Sequence, residues 1–414
     1  MVPHDEAVFL LHVAAEVEHA LMVQYLYAAF SLGGPEVPAD RAETVEGWKR
    51  IILDIAKEEM GHLITVENLL RLIGGPASFE REEFPFPSGL YPFPFRLEPL
   101  TKHSLAKYVL AEMPPQLQGP EVDEIKRCAQ TDDSQGMVNR VGCIYQQIED
   151  LFTYGDRDPG AAFVAVDDVD PETLAFQASP DEWGLGYQSI LILRASNRRE
   201  AVDALQAVAE QGEGAQATTL DDLDPNSHCG RFLRLYREFP DGEWNPTHRV
   251  PTNPTTLPVE AEDGTWTPIT NEQSRCWALL LNLRYRMLLA ELQHAFSVKS
   301  PDRPGERSPR GLLISWTFGE MYHIRSISEA LVQLPLGDPG DSARAAPPFE
   351  MPYTLDLPLR EVDRWRLHRD LVDAAATVIR SILDRDAAFR GTYLQGMLRS
   401  DGEARRTLDQ LIAG

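Results

Sequence analysis

The stretches AAEVEHALMVQYLYAAFSL, residues 14–32, and IAKEEMGHLITVENLLRLIGGP, residues 55–76, decide how this chain is read. In both, apolar residues recur at helical spacing, and Gly33-Gly34-Pro35 breaks the chain between them. The periodicity predicts a first helix over about Asp5–Leu32 and a second over Thr44–Leu72. Glu18 lies 14 residues before Leu32, and Glu59 lies 15 residues after Thr44. At the α-helical rise both stand roughly 21–23 Å from the connecting loop, so antiparallel pairing brings them to one depth. Glu59 and His62, three residues apart, share a helix face. Carboxylates and an imidazole at one level of a helical bundle are how such folds hold a redox metal. Glu16 and His19 compete with Glu18 for the inward position, and Glu58 competes with Glu59. On an amphipathic helix one or two of these would ordinarily point to water.

Outward from these helices, composition sets the frame. A chain of 414 residues with 43% hydrophobic content can bury one large helical domain or two ordinary ones. The net charge of −25 argues against nucleic-acid binding, which needs clustered Lys and Arg. Cys128, Cys143, Cys229 and Cys276 form no C-x-x-C pattern, which suits a reducing compartment. The opening Val2-Pro3-His4-Asp5-Glu6 lacks the basic region of a signal peptide, and no apolar run approaches the ~20 residues of a membrane span. A cytoplasmic protein that keeps away from membranes is the expectation; assembly with copies of itself is left open.

Residues 76–100 are rich in proline and aromatics and read as a long loop lying across the bundle, with Phe84, Phe86, Tyr91, Phe93 and Phe95 as packing or pocket-wall residues. Helical patterns return at Ser104–Glu112, Ser134–Phe152, Arg198–Gln211 (stopped by Gly212 and Gly214) and Ser227–Glu238. A short extended segment is expected around Ser189–Leu193. Residues 239–270 read as a connecting loop, followed by helices at Gln273–Phe296, Gly311–Leu334 and finally Arg360–Arg385. Strand signals are too sparse for a sheet of any size, so the fold class is all-α. Residues 1–240 are expected to form the metal-site bundle and 241–414 a helical extension packed on it. Two further E-x-x-H units, Glu291…His294 and Glu320…His323, are staggered by about a turn and are expected in exposed or capping roles.

The two opening stretches are joined, in order, by FRLEPLTKHSLAKYVLAEMPP (95–115), VGCIYQQIEDLF (141–152), VDALQAVAEQGEG (202–214) and SHCGRFLRLY (227–236). Together they resemble the ferritin-like domain of the iminophenylpyruvate dimer synthase family, whose members couple oxidised tryptophan in violacein and other bisindole pathways. The resemblance spans about residues 5–240 and weakens, in helix layout, to about 336. The large extra region of some members has no counterpart here, which implies a stand-alone domain.

The resemblance implies a ferritin-like bundle with additional C-terminal helices and long Pro-rich loops. Glu18, Glu59 and His62 match the family's metal ligands on the first two helices, and His228 matches a later one. Cys143 stands where the third helix usually has a ligand Glu, and Pro225 where the later helix has another. Fe(II), mononuclear or in an altered dinuclear centre, is therefore implied. Glu213, Glu210, Asp224 or Glu149 could replace the missing carboxylates; Glu213, at a helix C-terminus, sits against the dipole unless a cation compensates it. Cys143 is otherwise a small buried hydrophobe. Arg231 would anchor a substrate carboxylate bidentately or serve a structural ion pair. Glu112 matches a family position whose role the sequence does not give. The implied activity is a non-heme iron oxidase or oxidative coupling of an aromatic amino-acid-derived imine or enamine with O2, centred on Glu59, His62 and Arg231. Another ferritin-like oxidase of an amino acid or peptide, or a metal-free helical binding protein, are the alternatives.

Overall fold

The computed structural model describes residues 2–81, 90–130, 140–157, 164, 166, 169, 171–183, 190–214, 217–258, 266–300, 308–340 and 342–413. Phe84, Phe86, Ser189 and the expected helix start at Ser134 lie outside these residues. Among them the fold is all-α, apart from one two-residue parallel pair, β1 (Pro254–Thr255) with β2 (Thr267–Pro268), and two isolated bridges. The chain divides into two compact units, Met1–Thr247 and His248–Gly414.

The first unit is built on the antiparallel pair α1 (Pro3–Ser31) and α2 (Ala42–Leu72), its most extensive helix contact. Pro3 opens α1, with Asp5 and Glu6 in the first turn where the helix dipole favours them. Val13–Ala15 and Val17–Leu21 are buried without a break, so α1 is a rod covered on every face. It ends where Gly33 and Gly34 take φ of +100° and +126°, and the Gly33 N–H donates to the Pro246 carbonyl (2.9 Å). That bond, with the Leu32–Thr247 bridge, is why the first unit runs on to Thr247. Helices α3 (Lys102–Ala111), α4 (Pro120–Ala129), α5 (Gly142–Arg157), the short α6 (Pro171–Leu174) and α7 (Pro180–Trp183), α8 (Arg198–Glu213) and α9 (His228–Glu238) complete the unit. α5 packs between α1 and α8, and α9 packs against α3, α8 and α2.

The second half of α2 is buried continuously from Glu58 to Leu70. Part of its cover is an irregular strap, residues 190–196, where an extended segment is expected from the sequence. A strap without a partner strand needs other groups for its backbone, and α2 supplies them. The Thr65 hydroxyl donates to the Leu191 carbonyl (2.9 Å) and accepts from the Leu193 N–H (3.0 Å). Asn68 donates to the carbonyls of Ala178 and Leu193. The approach is close enough that a Cβ at Gly61 would lie 2.8 Å from the Leu191 carbonyl oxygen.

The long loop packs as expected where it is described. Phe79 and Phe93 are buried, Phe93 lies 6.0 Å from the Tyr108 ring, and the Arg81 guanidinium sits 4.2 Å over Phe95. α8 runs two residues beyond its expected end: Gly212 is inside the helix, and only Gly214, at φ +61°, terminates it.

The second unit contains α10 (Glu272–Ala295), α11 (Pro309–Leu331), α12 (Glu361–Arg385) and α13 (Gly391–Ala413); α10 packs on α11 and α12, and α12 on α13. The expectation of a last helix ending at Arg385 is corrected by α13, whose Gly391, Gly396 and Gly402 dilute its helical pattern. The expected exposed or capping roles for the two later E-x-x-H units are also corrected. Glu291, His294 and Glu320 are buried, and His323 is half-buried against the Tyr393 hydroxyl (3.0 Å). For Glu320 the physical reason is Arg284, two turns before Glu291 on α10; His294 is stacked on His368. The Arg284 guanidinium, 0% exposed, donates to Glu320 Oε1 (3.1 Å) and to both oxygens of Asp401 (2.9 and 2.6 Å).

Two outcomes follow for stability. Gly61→Ala forces the strap off α2 and is expected to destabilise the first unit by about 1–3 kcal/mol in urea denaturation. Arg284→Ala leaves two buried carboxylates unpaired, and a loss of about 3–5 kcal/mol is expected from the second unit's unfolding transition.

Candidate metal centre

Glu18 and Glu59 meet at one depth because α1 and α2 are antiparallel about the Gly33-Gly34 turn; Glu18, Glu59 and His62 are at most 2% exposed. His62 Nδ1 lies 2.9 Å from Glu59 Oε2 and 3.5 Å from Glu18 Oε2. His228 comes in on the first turn of α9, which Ser227 caps by accepting the Gly230 N–H (3.1 Å). Its Nδ1 lies 3.0 Å from Glu59 Oε1 and 3.9 Å from Glu112 Oε2. Glu59, His62 and His228 each offer a ligand atom within 4.8 Å of the others, all buried.

Both imidazoles point the same nitrogen inward, and outer partners fix this. His62 Nε2 is 2.8 Å from Gln211 Oε1 at the end of α8, an acceptor that requires the proton on Nε2. His228 Nε2 is 3.0 Å from Glu58 Oε2, and Glu58 is in turn paired with Arg231. An acceptor on the outer nitrogen orients a ligating histidine and raises its basicity. Glu58 is therefore neither a rival of Glu59 nor solvated; it is buried and reaches α9. Arg231 is engaged by Glu58.

The electrostatics are those of a site crowded with acids. Burial, then the Glu59 charge, raises the Glu18 carboxyl to about 7. Burial would raise Glu59 as well, but the His228 charge outweighs it and holds Glu59 well below the usual carboxylate range. Burial lowers both imidazoles, yet the carboxylates of Glu18 and Glu59 beside its Nδ1 carry His62 well above its ordinary value. The Glu59 charge and the Glu58 bond lift His228 to about 9. Burial and the Glu59 charge raise Glu112 to about 8; burial and Glu112 raise Glu213 to about 7.

Three buried atoms, Glu18 Oε2, Glu59 Oε1 and His228 Nδ1, have no hydrogen-bond partner. Glu59 Oε1 and His228 Nδ1 are only 3.0 Å apart, yet no shared proton lies in line between them. Two donors side by side, both aimed at a third point, suit a cation. The set of two imidazoles and one carboxylate, with Glu18 alongside, fits a divalent first-row metal and leaves positions open.

The remaining sequence candidates fall as follows. Glu213 is buried and lines the pocket beside the triad, but its Oε1 accepts from the Gly142 N–H (3.0 Å) and it is outside the triad. Glu210 and Asp224 are exposed, and Glu149 accepts from Gln206 Nε2 (2.9 Å). Cys143 is exposed, which corrects the expectation of a buried hydrophobe. The inward position on α5 belongs to Tyr145, whose hydroxyl donates to Glu18 Oε1. Glu112, buried at the end of α3, accepts from the Tyr25 hydroxyl (2.6 Å). From the sequence, Glu58 stands only as a rival of Glu59, and Gln211, Tyr25 and Tyr145 carry no signal as site residues.

No described helix is long and apolar enough to cross a membrane. The chain is 28% identical to dichlorochromopyrrolate synthase of Lentzea aerocolonigenes over 375 residues, 81% of this chain and 35% of that protein. It is 31% identical over 131 residues to the 2-imino-3-(indol-3-yl)propanoate dimerase of Chromobacterium violaceum, 25% of this chain and 13% of that one. The chain thus matches about a third or less of the length of these relatives. A ferritin-like protein from Caulobacter vibrioides superposes with a TM-score of 0.44 at 15% identity, covering 79% of this chain and 96% of that one. The ferritin-like family model matches residues 11–237. With more than half of its length matched, and a buried two-histidine, one-glutamate site inside that region, this chain belongs to the ferritin-like family.

Proposed function

We propose that this protein is an iron-dependent oxidase of small-molecule biosynthesis that oxidatively couples an imine or enamine derived from an aromatic amino acid. The observation that carries the reading is the convergence of His62 Nδ1, His228 Nδ1 and Glu59 at one buried point, with both outer imidazole nitrogens already engaged. The names of the two relatives support the substrate class: one is a dimerase of an indole-bearing imine, the other a dichlorochromopyrrolate synthase.

Glu59, His62 and His228 would hold the metal, with Glu18 as a further carboxylate. Fe(II), when bound, supplies one-electron chemistry and a site for O2. Joining two enamines through one new carbon–carbon bond removes two electrons and two protons, which O2 accepts as hydrogen peroxide. The chain's own part is orientation and exclusion. Gln211 and Glu58 fix the tautomers; the Tyr145 hydroxyl donates to Glu18 and the Tyr25 hydroxyl to Glu112, which holds those carboxylates in place. The burial of the site keeps bulk water from hydrolysing an imine.

Purified protein reconstituted anaerobically with Fe(II) is expected to hold about one or two metal ions per chain. Glu59→Ala and His62→Ala should each abolish uptake and, with it, oxygen consumption on aromatic imines generated in situ. Full uptake by both variants would overturn the reading. Glu58→Gln should weaken metal affinity by about 10- to 100-fold while the protein stays folded.

The metal-free protein should also have a marked pH dependence. His228, Glu18, Glu112 and Glu213 all have folded-state pKa values raised above their ordinary values. Each group therefore contributes stability at low pH that is lost as pH rises through its folded value. Denaturation midpoints of the metal-stripped chain should fall as pH rises from about 4.5 to 9, the carboxyls acting first and His228 last, and added metal should flatten that slope by taking the place of the protons.

A further inference from the structure

The two histidines of the centre differ in what stands behind them. His62 Nε2 meets Gln211 Oε1 (2.8 Å), a neutral amide in the last turn of α8. His228 Nε2 meets Glu58 Oε2 (3.0 Å), a carboxylate. A hydrogen bond to an ionised acceptor is roughly twice as strong as one between neutral groups, so the two imidazoles are unequal donors as long as Glu58 keeps its charge. Glu58 is enclosed by protein, and a carboxylate in that position stays ionised only beside a cation. Arg231 is that cation. Its Nη2 donates to Glu58 Oε2, the same oxygen that faces His228. Its Nε donates to the carbonyl of Ser227 (3.4 Å), the residue next to the ligand. Arg231 follows His228 by three residues on α9, so ligand and guanidinium lie on one side of that helix.

We propose that Arg231 is a positioning residue of the metal centre: it holds the Glu58 carboxylate ionised and aimed at His228, and so makes His228 the stronger of the two imidazole donors. This rests on the metal-site reading and deepens it. It also gives Arg231 a task other than anchoring a substrate carboxylate, since Nε and Nη2 are already engaged. A guanidinium near a cation site can act in two ways, and they have opposite signs. Acting by its own charge it repels the metal, and its removal tightens binding. Acting through Glu58 it supports donor strength. Its removal then leaves a buried carboxylate that takes up a proton or turns away, and binding weakens. The geometry points to the second route, because the bond from Arg231 and the bond to His228 end on one oxygen.

The test is a Co(II) titration of the full chain followed by visible absorption, which responds to the ligands around the ion. Arg231→Gln, which removes the charge, is expected to weaken Co(II) binding about 10-fold and to shift the absorption bands. Arg231→Lys, which keeps the charge, should recover most of both. With Glu58→Gln already in place, Arg231→Gln should cost nothing further, because the route it acts through is gone. Unchanged or tighter binding in Arg231→Gln overturns the proposal, and so does an equal loss in the Glu58→Gln background. If Arg231→Gln alone fails to fold around a stranded carboxylate, Glu58→Gln and the double variant carry no such charge and still decide. Equal Co(II) affinity of those two supports the relay, and tighter binding by the double variant overturns it. A wild type that takes up no Co(II) sinks the metal-site reading and this proposal together, whereas the variant outcomes bear on Arg231 alone.

Discussion

Everything in the first unit is arranged around ionisable groups enclosed by protein on α2. Moving a carboxylate out of water costs several kcal/mol unless a positive partner or a proton comes with it. Each acid near the centre meets that demand differently. Glu58 has Arg231 and the outer face of His228, Glu59 lies between two imidazoles, and Glu18 is held by a tyrosine and drawn toward a proton. The supply of positive charge on this face, two histidines and one arginine, falls short of the four carboxylates Glu18, Glu58, Glu59 and Glu112. A divalent ion held at His62 Nδ1 and His228 Nδ1 would take the place of the two imidazole protons, and the remaining shortfall of one charge is met by a proton on a carboxyl such as Glu18.

Backbone economy makes this density of charge feasible. Gly61 lets the strap lie on α2, Gly142 lets α5 start directly on a carboxylate, and Gly230 lets α9 begin against the Asp224 carbonyl, where a Cβ would lie 2.1 Å away. Each glycine stands beside or near a site residue. The close approach in each case carries a polar side chain to a depth that helix packing with larger residues would not allow.

The part of the site legible in the sequence is the part carried by one hairpin. Glu18, Glu59 and His62 can be placed from helical rise and the position of a turn, because those relations are local. His228 came through resemblance alone, since no spacing links it to α2. The roles of Glu58, Gln211 and Tyr145 stay hidden because they arise from contacts over 127–170 residues of sequence, which periodicity does not encode. The same limit explains the second unit. Glu291 and Glu320 looked solvated because buried acids are uncommon, and the cation that pairs with Glu320, Arg284, lies on a different helix. Helix α13 escaped notice for a plainer reason: three glycines interrupt a pattern whose buried residues, Leu394, Met397 and Leu408, are few.

Arg284 separates the two units in one respect that reaches beyond packing. The ion proposed for the first unit's centre would have to be acquired from outside and could be withdrawn by a chelator. The second unit's positive charge is covalently part of the chain and is present from the moment of synthesis. Scarcity of metal would therefore act on the first unit's centre and leave the ion pairs of Arg284 with Glu320 and Asp401 in place.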